Sequence, residues 1–286
     1  MPPTADTAVL GPIGVSRDAP IGVFDSGIGG LSVLRALQRE LPHERFVYFA
    51  DNGHAPYGER GDAFVTERTL AVANRLRGDH SIKALVVACN TATTAAIHLL
   101  RAAHPGLAVI GVEPAVKPAL LASRTGHIGV IGTRGTLGSE KFRQLLAPLQ
   151  SQAHFTVQPC DGLAAAIEHS ALGDDAGPSA IEIRALCARY TSAMGPFGSE
   201  KDAIDTLVLG CTHYVFAAEA LRACTGPDVH FLETGEPVAR QTRRLLTAQD
   251  RLCDGTADTS AHPAALTLLS SGDLPLLRAA AQRWLD

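Results

Sequence analysis

The sequence is poor in lysine, with four in 286 residues (Lys83, Lys117, Lys141 and Lys201), and it carries no excess of positive charge. Twenty-five Lys and Arg stand against 29 Asp and Glu, a net charge of −4, which leaves no basic face for nonspecific nucleic-acid binding. No apolar run approaches the ~18–20 residues that cross a bilayer. The six cysteines (Cys89, Cys160, Cys187, Cys211, Cys224 and Cys253) are too sparse for a disulfide framework, and none forms a CxxC pair. Residues 1–20 have neither a basic start nor a proper apolar segment, so they read as a flexible tail rather than a signal peptide. These absences point to a cytoplasmic protein with reduced thiols and no membrane or nucleic-acid partner.

Cofactor signals are missing as well. "DSGIGG" at 25–30 is neither GxGxxG nor a loop ending in GK[ST], so its glycines are expected to serve a tight turn and close helix packing. Lys83 opens its strand at the wrong end and the other lysines sit in helical or loop stretches, which argues against pyridoxal chemistry. No Cys/His spacing resembles a zinc pattern. The expectation is therefore no cofactor and no metal.

What the chain does contain is 46% hydrophobic residues against 19% charged, an ordinary globular composition in a length that holds one large or two modest domains. Short β-branched runs ("IGVFDS", "RFVYFAD", "ALVVAC", "HIGVIGT", "TLVLGC") alternate with helical patterns such as "GGLSVLRALQREL" and "TATTAAIHLLRAA". Continuous apolar strands alternating with helices predict an α/β protein with mainly parallel sheets, whose sites lie beyond the carboxyl ends of the strands. "IGVFDSGIGG" from Ile21 and "IGVIGTRGTLG" from Ile128 are each a strand running into a Gly-rich turn, and each is followed later by a Cys-ended strand. This weak repeat implies two like domains that each offer one cysteine to a shared cleft.

Those cysteines are Cys89 in "KALVVACNTATT" and Cys211 in "DTLVLGCTHYVF". One cysteine after a buried strand is more often a small core hydrophobe. Two in matching contexts, each with a threonine within two residues, favour chemistry. A thiol at a strand end that opens a helix sits near a positive dipole end, which is expected to lower its pKa below ~8.5. The helix signal is better after Cys89 than after Cys211. His213 is more often a loop histidine, but two residues from a thiol it is a plausible proton partner. "ADNGHAPYGER" at 50–60 is another strand end, read on its own as a structural turn.

In that order, "DSGIGG", "ADNGHAPYG", "ACNTATT" and "GCTHY" resemble the cofactor-independent aspartate/glutamate racemase family, and its glutamate racemases among them, over about Ile21 to Arg244. The resemblance implies two pseudo-symmetric α/β domains, placed here at 21–112 plus 226–286 and at 113–225, with the active site in the cleft between them. It makes Cys89 and Cys211 the catalytic acid/base pair, assisted by Asp25, His213 and Glu168. It gives the substrate contacts to Asp25, Ser26, Tyr57, Gly58, Asn90, Thr91, Thr212 and His213. Glu168 is matched only by its spacing from Cys160, since Asp161 stands where the family has proline, and a plain exposed helix glutamate is the rival reading. Val215-Phe216 replace the family's usual Pro-Leu, and Asp51-Asn52 its Asp-Thr. Related aspartate racemases tend to carry glutamate where His213 stands, which favours glutamate as substrate. The resemblance further implies a homodimer that supplies D-glutamate for peptidoglycan. Competing readings are an aspartate or broad-specificity racemase, a non-catalytic amino-acid-binding regulatory protein, and a thiol redox protein.

Overall fold

The computed structural model describes residues 16–172, 177–253 and 266–285. Most of the expected N-terminal tail, residues 1–15, lies outside the described residues. Among the described residues nine strands form two sheets: β1 (Ile21–Asp25), β2 (Phe46–Ala50), β3 (Ala84–Val87), β4 (Ala108–Gly111), β5 (His127–Gly132), β6 (His154–Pro159), β7 (Thr206–Leu209), β8 (His230–Leu232) and β9 (Leu266–Ser270). The first sheet has the order β4-β3-β1-β2-β9 and the second β6-β5-β7-β8. Every pairing is parallel. The central strands β1, β2, β3 and β7 are buried along their whole length, which is why they read as unbroken apolar runs.

The repeat noticed in the sequence is a repeat of topology. Read from one edge, β4-β3-β1-β2 and β8-β7-β5-β6 follow the same order, so β5 stands where β1 does and β7 where β3 does. The cysteines occupy equivalent places, each two residues beyond the last paired residue of its strand, Val87 in β3 and Leu209 in β7. The chain passes between the sheets twice, once between β4 and β5 and once between β8 and β9. The expected boundary at 225/226 falls ahead of β8, yet β8 hydrogen-bonds to β7, so the second sheet extends to Leu232.

Each sheet is covered on both faces. One face of the first carries the helices Leu31–Glu40, Gly235–Ala248 and Leu274–Leu285, through Leu34, Val238 and Leu277. The other carries Asp62–His80 and Asn90–Ala103, through Leu76 and Ile97. Two further clusters cover the second sheet, one including Leu163, Ile167 and Tyr214 and the other Val116, Phe142 and Leu146. No helix among the described residues is long and apolar enough to cross a membrane.

Candidate active site

The carboxyl ends of β1, β3 and β7 and the helix Leu163–His169 place seven of the sequence-predicted residues in one buried network. Asp25, the last residue of β1, is fully buried. Its Oδ1 accepts from Ser26 Oγ (3.0 Å) and the Gly27 N–H (3.1 Å). Its Oδ2 accepts from Thr212 Oγ1 (2.9 Å), a bond that joins the two units. Burial raises the Asp25 pKa, against the charge of His213 and the hydrogen bonds from Gly27, Thr212 and Ser26.

Cys89 is the N-cap of the helix Asn90–Ala103, and the Ala92 N–H donates to its Sγ (3.4 Å). The thiol in turn donates to Ser26 Oγ (3.7 Å), so a hydroxyl stands between Cys89 and Asp25. The expected lowering of this thiol's pKa is not what the environment produces. Burial and then the charge of Asp25 push it up to about 12, outweighing the cap amide and Ser26, because a thiolate there loses its water beside a carboxylate. Cys89 therefore rests as a thiol.

Cys211 begins a 3-10 turn, Thr212–Ala217, rather than an α-helix, in line with its weaker helix signal. Gly210 before it is required by space, since a Cβ there would stand 2.7 Å from the Ile131 carbonyl. Cys211 Sγ lies 3.8 Å from His213 Nδ1, and His213 Nε2 lies 2.7 Å from Glu168 Oε2. Glu168 is 8% exposed, so the exposed-helix reading gives way to a buried one. Both of its oxygens also accept from the Ile28 N–H (3.3 and 3.0 Å), a second bond between the units. Burial lowers the His213 pKa, but the hydrogen bonds and charges of Cys211 and Glu168 overcome it and hold the imidazole well above its usual range. Glycines of "DSGIGG" serve this approach rather than an unusual φ: a Cβ on Gly27 would meet the Glu168 carboxyl carbon at 2.6 Å, and one on Gly29 would meet Thr212 Oγ1 at 2.6 Å.

The other predicted residues line the same region in different ways. Both amide atoms of Asn90 are buried without a hydrogen-bond partner among the described residues, a costly state unless something else fills it. Thr91 Oγ1 lies 3.0 Å from Thr133 Oγ1, across the units. The Tyr57 hydroxyl donates to Asp51, which also accepts from Arg68 (3.0 and 2.8 Å). Gly58 packs against Thr133, where a Cβ would find 2.6 Å. Asp51, Arg68 and Thr133 were not anticipated. Thr133 follows β5 as Ser26 follows β1, so the repeat carried that signal, whereas the Arg68–Asp51 pair had none. Among the described residues no group of three or more His, Cys, Asp or Glu is placed to hold a metal.

The two sheets of like topology each present one buried thiol with its own oxygen or nitrogen partner. Residues 21–242 match the Asp/Glu/Hydantoin racemase family. This chain belongs to that family. Among its relatives are glutamate racemases of Pseudomonas entomophila, 45% identical over 91% of this chain and 94% of the relative, and of Pseudomonas syringae pv. tomato, 44% identical over 94% and 91%. A glutamate racemase isoform from Bacillus anthracis superposes with a TM-score of 0.77 at 29% identity, covering 94% of each chain. The Escherichia coli glutamate racemase in complex with L-glutamate and an activator gives 0.76 at 29% identity, covering 93% of this chain and 95% of that one.

Proposed function

We propose that this racemase-family chain interconverts L- and D-glutamate by a two-thiol mechanism without a cofactor. The observation that carries it is the pair of buried thiols at equivalent strand ends, Cys89 linked through Ser26 to Asp25 and Cys211 beside His213 and Glu168. The Cys211 thiolate, paired with the protonated His213, takes the α-proton of L-glutamate. The electron pair of the breaking C–H bond moves onto the α-carbon and its carboxylate, and the Cys89 S–H delivers a proton from the opposite face. The reverse reaction starts with a Cys89 thiolate, its proton relayed through Ser26 towards Asp25. Glu168 keeps the His213 charge in place. Ser26, Asn90, Thr91 and Thr212 supply the hydroxyls and amide that cradle the substrate's carboxylates and ammonium, with Gly58 closing the wall against Thr133. The unpartnered Asn90 amide fits a role completed by substrate.

The reading extends to a cytoplasmic homodimer making D-glutamate for peptidoglycan, supported by family membership. It is tested by proton NMR of L-glutamate in D2O with purified protein. The α-proton signal is expected to vanish as D-glutamate accumulates. A signal that persists for glutamate but vanishes for aspartate would move the assignment to the other substrate.

A further inference from the structure

Behind the two catalytic turns lies a contact that the proton chemistry does not itself require. The 3-10 turn that starts after Cys211 carries Phe216, whose ring stacks on Trp284 with centroids 4.0 Å apart and planes within 11°. Trp284 is the only tryptophan of the chain and lies in the last turn of the helix Leu274–Leu285. Phe216 packs against the cores of both units, and Trp284 against that of the first. The Trp284 carbonyl accepts from Arg35 Nη1 (3.5 Å), in the helix that follows "DSGIGG". In that same helix Ser32 Oγ donates to the Gly29 carbonyl (2.8 Å) and to the Thr212 carbonyl (3.3 Å). Phe216, Trp284, Arg35, Ser32 and Thr212 thus close a ring of contacts around the backs of both turns.

The fronts of those turns make the bonds between units, Thr212 to Asp25 and Glu168 to Ile28. Bonds of this length fail with a shift of a fraction of an ångström. Two nearly parallel rings in contact fix the spacing between the turn and the last helix, and an aliphatic side chain at position 216 would offer no plane to stack. We propose that the Phe216–Trp284 stack is a clasp that sets the Cys211–His213 turn against the Asp25–Gly30 turn, with Trp284 as a positioning residue. Its catalytic consequence rests on the racemase reading; the clasp itself does not.

The test compares Trp284→Ala, Phe216→Leu and Trp284→Phe with the wild type by hydrogen exchange and by kcat and KM for glutamate. Trp284→Ala and Phe216→Leu should speed amide exchange about tenfold in 26–34 and 210–217, leaving β6 unchanged. They should lower kcat by about 10-fold with a smaller change in KM. Trp284→Phe keeps a ring and should restore both to within about twofold. Phe216→Leu retains aliphatic packing and decides the matter if Trp284→Ala does not fold. Unchanged exchange at the two turns, or faster exchange spread equally over β6, overturns the clasp. So do wild-type kcat and KM in both Trp284→Ala and Phe216→Leu when the wild type racemises. A wild type that leaves glutamate untouched defeats the racemase reading instead, and the exchange data still decide the clasp.

Discussion

Glu168→Gln isolates the charge that sustains the imidazole. The amide keeps the size of the carboxyl and an oxygen for the Ile28 N–H, but removes the negative charge 2.7 Å from His213 Nε2. Two unit charges about 4 Å apart at an effective dielectric of about 20 attract by about 4 kcal/mol. If half of that is expressed in the transition state, about 2 kcal/mol, kcat falls roughly 30-fold at 1.36 kcal/mol per factor of ten. Since L- and D-glutamate have equal free energies in water, kcat/KM must fall equally in both directions, so both are measured from pH 6 to 9. With burial now less opposed, His213 loses its proton at lower pH, and the alkaline fall of kcat should begin earlier than in the wild type. The same linkage governs stability. A histidine whose folded pKa is raised contributes stability fully present below its unfolded value of 6.5 and lost as pH rises through the folded one. The stability gap between wild type and Glu168→Gln should therefore be widest below pH 6.5 and narrow above it. A kcat within twofold of wild type, with an unshifted profile and a pH-independent stability gap, would refute this assignment of Glu168.

Three further outcomes follow from the same geometry. Cys89→Ser and Cys211→Ser should each abolish racemisation, while α-deuterium wash-in survives on one enantiomer: D-glutamate for Cys211→Ser and L-glutamate for Cys89→Ser; equal residual rates on both hands contradict a two-base pair. Asn90→Leu should raise thermal stability by removing an unsatisfied buried amide that costs about 1–3 kcal/mol, and should raise KM at least about tenfold by removing a substrate contact; a lower Tm with an unchanged KM counts against the role. For Asp51, burial opposes the anion, but the hydrogen bonds from Arg68 and Tyr57 lower its pKa. Its contribution is therefore present above the unfolded value of 3.8 and lost as pH falls through the folded one. Arg68→Ala should shift acid unfolding to higher pH and raise KM through the Tyr57–Gly58 turn, measured by pH-dependent thermal melts and saturation kinetics.

The strands, their parallel pairing and the place of both cysteines were legible in the sequence because doubly covered strands must be apolar along their length. "ALVVAC" and "TLVLGC" therefore declare where burial stops. The repeat was legible only as a weak echo of Ile21 at Ile128, yet it foretold matching sheet orders, since equal topology demands no more than equal patterning. The membership of β8 was hidden, because one exposed and two half-buried residues carry little pattern and their pairing with β7 is a long-range choice. Electrostatics escaped the sequence more thoroughly. A helix N-terminus suggested an acidic thiol at Cys89, but the sign of its shift was settled by burial beside Asp25, two effects that exist only once distant segments are packed. Glu168 shows the same division. Its spacing from Cys160 suggested a match, and only the closure of Leu163–His169 onto the "DSGIGG" turn brought its carboxylate to His213. A sequence states which side chains are available for chemistry; which of them lose water together, and so change their proton affinity, is decided by contacts between residues 45 to 187 positions apart.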